Sequence, residues 1–223
     1  MLVLVRHGES EANAAGLLVG RMESPLTERG LVQAHRIGEV VGPVQRVTTS
    51  PLGRARQTAA AIGPDARVEV DDRWVEVDYG EFDGTRLGAV PAEVWTRWRA
   101  DPAYRPPGGE SLDELGRRVR PVCEELFAED GAGARGADDV VVVSHVSPIK
   151  AAVAWALGVG DEVAWRLYLA PGSITRIGWG AGVPVLHRYN EVPLPTDVSP
   201  LTDARPGDEA PRPHPAAGAG SSA

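Results

Sequence analysis

Leu2-Val3-Leu4-Val5 runs directly into Arg6-His7-Gly8-Glu9-Ser10. Consecutive apolar residues with no polar alternation mark a strand covered on both faces, as in a parallel sheet. The pattern recurs at Val140 to Val143, which leads into Ser144-His145-Val146-Ser147-Pro148. It appears again, shorter, at Arg46 to Thr49, which leads into Ser50-Pro51-Leu52-Gly53-Arg54. Helical periodicity fills the intervals. Strands alternating with helices predict an α/β fold, a three-layer sandwich with a mostly parallel central sheet flanked by helices.

Working outward, a helix is expected from Thr27, with Leu31, Ala34, Ile37 and Val41 on one face and Gly42-Pro43 as its stop. Ser50-Pro51 reads as an N-cap followed by proline at the first helical position, and Gly63-Pro64 closes that helix. Ser111-Leu112-Asp113-Glu114 forms a capping box, continued at helical spacing by Leu115, Val119, Val122 and Leu126. Pro121 is expected to kink or break that helix. Ser147-Pro148 is expected to open another helix, ending at Gly158. Ser173 to Trp179 and Val183 to Tyr189 read as a closing hairpin around Gly180 and Gly182. Trp155, Trp165 and Trp179 read as core residues. Trp95, Trp98 and Tyr104 lie where a substrate lid would be, with helix or core packing the favoured role.

Residues 1–192 therefore make one catalytic-size domain. From Pro193 to Ala223 the chain is rich in Pro, Ala, Gly, Ser and Asp, with too few large apolar residues to offset ordering entropy. That segment is expected to be a disordered tail. The formal net charge of −8 argues against sequence-independent nucleic-acid binding, which needs a basic face. The opening apolar run is too short for a signal peptide or a membrane span. A single cysteine, Cys123, rules out an internal disulfide and suits a reducing compartment. A soluble cytoplasmic protein is expected, with no partner nucleic acid or membrane.

Chemistry gathers at three strand-to-helix junctions. In open α/β sheets ligands bind beyond the carboxyl ends of the strands, and helix N-termini there offer free N–H groups to anions. These junctions carry Arg6, His7, Arg54 and His145. Arginine forks meet two oxygens of a phosphate dianion, and a neutral imidazole is a competent nucleophile. The leaving alkoxide needs a proton, for which a loop between the junctions offers Glu76, with Asp78 as its rival. The histidines lack the spacing of a zinc site, so neither a metal nor another cofactor is expected.

These blocks together resemble the histidine phosphatase superfamily, the phosphoglycerate-mutase-like enzymes. The resemblance rests on Arg6-His7-Gly8-Glu9-Ser10 with Asn13, on Pro25 to Gly30, on Ser50 to Ala59, on Glu76 to Gly80, on Pro107 to Ser111 and on Val143-Ser144-His145. It implies a phosphomonoesterase that hydrolyses small phosphorylated metabolites through phosphorylated His7. Arg6, Arg54 and His145 would complete the phosphate pocket and Asn13 would be a further donor. Gly20 and Val146 would be substrate-binding positions, and Glu76 the proton donor. The block Ser144 to Lys150 departs from the commoner version with two glycines after the histidine. It is similar to acid-phosphatase-like and ribazole-phosphatase-like members.

Individually these residues have plainer readings. Glu9 is expected to orient its own helix start, and His35 and His187 read as structural. A cofactor-dependent phosphoglycerate mutase is the alternative function. The short Gly84–Gly109 stretch favours the phosphatase, because a mutase must enclose its phosphoenzyme against water. A third reading, a catalytically dead binder of phosphorylated ligands, fits poorly with retention of His7, both arginines, His145 and Glu76. Oligomeric state stays open, a homodimer among the options.

Overall fold

The computed structural model describes residues 1–131, 139–180 and 182–193. In chain order these form β1 (Leu2–Arg6), α1 (Glu11–Ala14), α2 (Glu28–Val41), β2 (Arg46–Thr49), α3 (Gly53–Ile62) and β3 (Arg67–Val70). There follow α4 (Ala92–Ala100), α5 (Leu112–Gly131), β4 (Val140–Ser144), α6 (Val146–Leu157), β5 (Ile174–Gly180) and β6 (Val183–Glu191). The tail expected beyond Pro193 lies outside the described residues. One sheet carries the strands in the order β3-β2-β4-β1-β5-β6. β3, β2, β4 and β1 are mutually parallel, while β5 runs antiparallel to β1 and pairs with β6 as the expected hairpin.

The uninterrupted apolar strands do what their composition demands. Val3 and Val5 face α2 and α3, packing with Ile37, Ala55, Ala59 and Ile62. Leu2 and Leu4 face the other layer, with Leu115, Val119 and Val122 of α5 and Ile149 of α6. Each large aliphatic side chain so buried contributes roughly 1.5–3 kcal/mol. Trp98 of α4 belongs to this second layer and is 1% exposed, with Trp95, Trp165 and Tyr104 packed around it. The tryptophans between the acid loop and Gly108 therefore cap the core, as the packing reading expected.

Several local expectations need correction. Leu31 is exposed, so the buried face of α2 consists of Ala34 and Ile37, with Val41 at its edge. The helix after Ser50-Pro51 begins only at Gly53, with Leu52 as its cap residue. α5 runs unbroken through Pro121. Pro121 and Arg117 are both exposed, so solvent serves the Arg117 carbonyl whose intrahelical partner the proline removes. α6 starts at Val146 with His145 as cap residue, leaving Pro148 in the first turn, where its missing N–H costs nothing. Trp179 is half exposed on the hairpin and sits at the margin of the core. β3 escapes sequence reading because it is an edge strand whose residues are mostly exposed, with no buried alternation.

Candidate active site

Because β4 sits between β1 and β2, their carboxyl ends lie side by side. His7 leaves the end of β1, Ser50 and Arg54 follow β2, and His145 follows β4. The turn after β1 is tight. A Cβ on Gly8 would lie 2.2 Å from the Gly30 carbonyl oxygen, and one on Gly30 would lie 2.1 Å from that of Glu9. Two glycines are thus required for the start of α2 to back onto the His7 turn. Glu9 accepts a hydrogen bond from Thr27 Oγ1 at 3.0 Å and pairs with Arg29, so it orients a helix start, though that of α2.

His7 is 3% exposed. Its Nδ1 lies 2.7 Å from the Gly8 carbonyl, and its Nε2 lies 3.2 Å from Arg54 Nε. The carbonyl can only accept and the guanidinium can only donate, so the proton belongs on Nδ1 and the lone pair on Nε2. Burial, then Arg54 and Arg6, hold the imidazole well below its usual pKa, so it is neutral. Arg54, also buried, donates from Nη1 to the Met22 carbonyl at 2.9 Å and from Nη2 to that of Gly20 at 2.6 Å. His145 stands with its ring 5.0 Å from that of His7, its Nε2 2.7 Å from Ser50 Oγ. The Ser50 hydroxyl thus serves the site, and it also accepts from the Leu52 N–H at 3.4 Å, ahead of the helix that begins at Gly53. Burial, His7 and the arginines likewise depress His145.

Arg6 donates to the Leu169 carbonyl at 2.5 Å, and its buried Nε has no hydrogen-bond partner among the described residues. Burial pulls its pKa down to about 10, against the opposing pull of Glu76. Glu76 is 3% exposed and accepts from the backbone N–H of Val77 at 2.7 Å and of Ser147 at 3.2 Å. Asp78 instead accepts from Gly80 N and pairs with the exposed Arg21 at 3.4 Å. Of the two carboxylates, Glu76 has the site-facing contacts. Asn13 commits its side-chain oxygen to Ser10 N at 3.2 Å, leaving the amide nitrogen as its donor end. Val146 opens α6 with a first-turn N–H that needs a partner from outside the helix.

The match to a family model covers residues 2–192 and is to the histidine phosphatase superfamily, branch 1. This chain belongs to that superfamily. A bifunctional protein of Mycobacterium tuberculosis is 37% identical over 78% of the chain and 49% of that protein. The chain thus spans about half the length of that relative. A glucosyl-3-phosphoglycerate phosphatase of the same organism is 32% identical over 77% of the chain and 87% of the relative. Among solved structures, a phosphoserine phosphatase of Entamoeba histolytica in complex with 3-phosphoglyceric acid is 25% identical. It aligns with a TM-score of 0.77 over 85% of this chain and 96% of that one.

The superfamily fold brings together His7, Arg6, Arg54, His145 and Glu76, with Gly20 reaching the cluster through its carbonyl. Two residues of the site went unassigned in the sequence reading. Tyr79 shares a hydrogen bond with Ser147, and burial, with Glu76 nearby, pushes its pKa up. It lies inside the Glu76 to Gly80 block, which was the available signal. Lys150, the sole lysine of the chain, donates to the Ala164 carbonyl at 2.9 Å, and burial lowers it to about 8. A cavity of about 490 Å³ opens elsewhere, beside Arg46, Asp71, Arg73 and Trp74. Its arginines are already paired, Arg73 with Asp71 and Arg46 with Glu69. Among the described residues no helix is long and apolar enough to cross a membrane.

Proposed function

We propose that the chain hydrolyses small phosphate monoesters by way of phosphorylated His7. The observation that carries this reading is the His7 Nε2 lone pair, buried, neutral and held against Arg54. In the first step Nε2 attacks phosphorus, a P–N bond forms, and the ester P–O bond breaks. Arg6 and Arg54 supply charge to the non-bridging oxygens, with His145 beside them. The leaving oxygen takes a proton from Glu76. Two backbone N–H groups, of Val77 and Ser147, hold the Glu76 carboxyl in place beside the pocket. In the second step water attacks phospho-His7, its proton passes to the Glu76 carboxylate, and inorganic phosphate leaves with His7 restored.

The substrates named for the relatives, glucosyl-3-phosphoglycerate and phosphoserine, are small phosphomonoesters that also carry a carboxylate, and we infer the same class here. Rapid quench with a reactive substrate tests the reading: acid-labile, base-stable phosphate is expected on His7. Label on serine, aspartate or cysteine would overturn it.

A further inference from the structure

The loop between α1 and α2 is gripped from both sides. On one side the Asp83 carboxylate accepts from three successive backbone N–H groups, Gly20 at 2.7 Å, Arg21 at 2.9 Å and Met22 at 2.8 Å. On the other side the Gly20 and Met22 carbonyls accept from the two terminal nitrogens of Arg54, whose Nε reaches His7. The Gly20–Arg21 peptide joins the two grips directly. In a trans peptide C=O and N–H point in opposite directions, so its carbonyl holds Arg54 while its N–H holds Asp83. Successive N–H groups converging on one point form an anion cradle, and here a side chain of the protein fills it.

We propose that Asp83 is a positioning residue for phosphoryl transfer, acting through the Gly20–Met22 backbone to set Arg54 against His7. The proposal rests on the function proposed above and deepens it. Among the described residues the Arg54 guanidinium donates to two carbonyls and an imidazole and to no carboxylate. Placement of that backbone therefore aims its three donors, while Glu76, Glu23 and Asp83 act on its charge from farther away. A carboxylate has lone pairs enough for three N–H donors, whereas asparagine offers one acceptor oxygen and would turn a donor toward the same N–H groups. Gly20 permits the close approach: a Cβ there would lie 2.9 Å from the Tyr79 ring and 3.2 Å from Asp83 Oδ2.

The test is a double-mutant cycle on turnover of 4-nitrophenyl phosphate and inhibition by inorganic phosphate. Displacing a catalytic group by about 1 Å can cost on the order of a hundredfold. Asp83→Asn is therefore expected to lower kcat/KM at least about tenfold and to weaken phosphate inhibition in step. In an Arg54→Ala background the same substitution should cost less than about twofold, because the group it positions is gone. Equal losses in both backgrounds, or unchanged phosphate inhibition, would overturn the proposal. If Arg54→Ala alone is harmless, the phosphate-pocket reading falls and Asp83 with it. If Arg54→Ala is costly and Asp83→Asn is not, only the Asp83 role falls. Should Asp83→Asn fail to fold, Asp83→Glu, which keeps the charge and shifts it by one methylene, enters the same cycle and is judged by the same outcomes.

Discussion

The His7 imidazole is kept neutral by burial and by two arginines, and the Gly8 carbonyl chooses which nitrogen carries its proton. Removing it should remove the proposed covalent path altogether. His7→Ala is expected to reduce kcat/KM by at least about a hundredfold, as nucleophile deletions do. Steady-state kinetics on 4-nitrophenyl phosphate checks this, and retention of more than that fraction would point to another nucleophile. Glu76 makes a different demand. Glu76→Gln should slow sugar-phosphate esters by at least about a hundredfold while costing 4-nitrophenyl phosphate about tenfold or less, since nitrophenolate leaves without a proton. Equal losses on both substrates would mean that Glu76 binds rather than donates. At this scale the sequence was most legible, because His7, Arg54 and His145 each follow a recognisable strand. The Arg54–Gly20–Asp83 connection was not legible, since it passes through backbone atoms that no side-chain identity announces.

Among the elements, α5 keeps a proline in its interior at the cost of one backbone hydrogen bond. Alanine at this exposed position would restore the bond and improve helix propensity. Pro121→Ala should therefore raise stability by about 1–3 kcal/mol, read as a higher midpoint in urea with unchanged slope. An unchanged or lower midpoint would show that solvent already compensates fully. The helix starts explain why element boundaries were misjudged. Ser50-Pro51 has the composition of a cap and a first helical residue, yet its hydroxyl faces His145 across the sheet. Ser111 has the same kind of composition and does cap, bonding Glu114 reciprocally. The difference is in the partners: Ser50 Oγ meets His145 and the Leu52 N–H, whereas Ser111 Oγ bonds Glu114 within its own helix start.

For the whole molecule, burial of two neutral histidines couples folding to pH. Both are depressed by burial first and by neighbouring positive groups next. In the unfolded chain each titrates near about 6.5. Below that pH the unfolded chain binds protons that the folded chain refuses. Stability is therefore fully present above about 6.5 and is lost as pH falls below it. The melting temperature should drop steadily from pH 7 toward pH 5, and His145→Asn should flatten that slope. An equally steep slope in the variant would assign the loss to other groups. The architecture also bears on the choice between hydrolysis and isomerisation. The Gly84–Gly109 stretch holds only α4 and short turns, and its tryptophans are spent on the core. With 3-phosphoglycerate, phosphate release independent of 2,3-bisphosphoglycerate is expected. Rapid isomerisation that needs the bisphosphate would favour the mutase and leave the role of His7 intact.

What the residues alone pointed to was the buried strands and the junctions where polar side chains gather. Strands apolar on both faces call for cover on both faces, and the polar residues that follow parallel strands gather at one edge of the sheet. The order of the strands and the burial of each helix face were decided by the folded chain. So were the different surroundings of Glu76 and Asp78, two carboxylates that lie close together in the sequence. Glu76 meets the N-terminus of α6 and Asp78 meets Arg21 in solvent. Those partners are far from the acid loop in the sequence, and only packing brings α6 to Glu76.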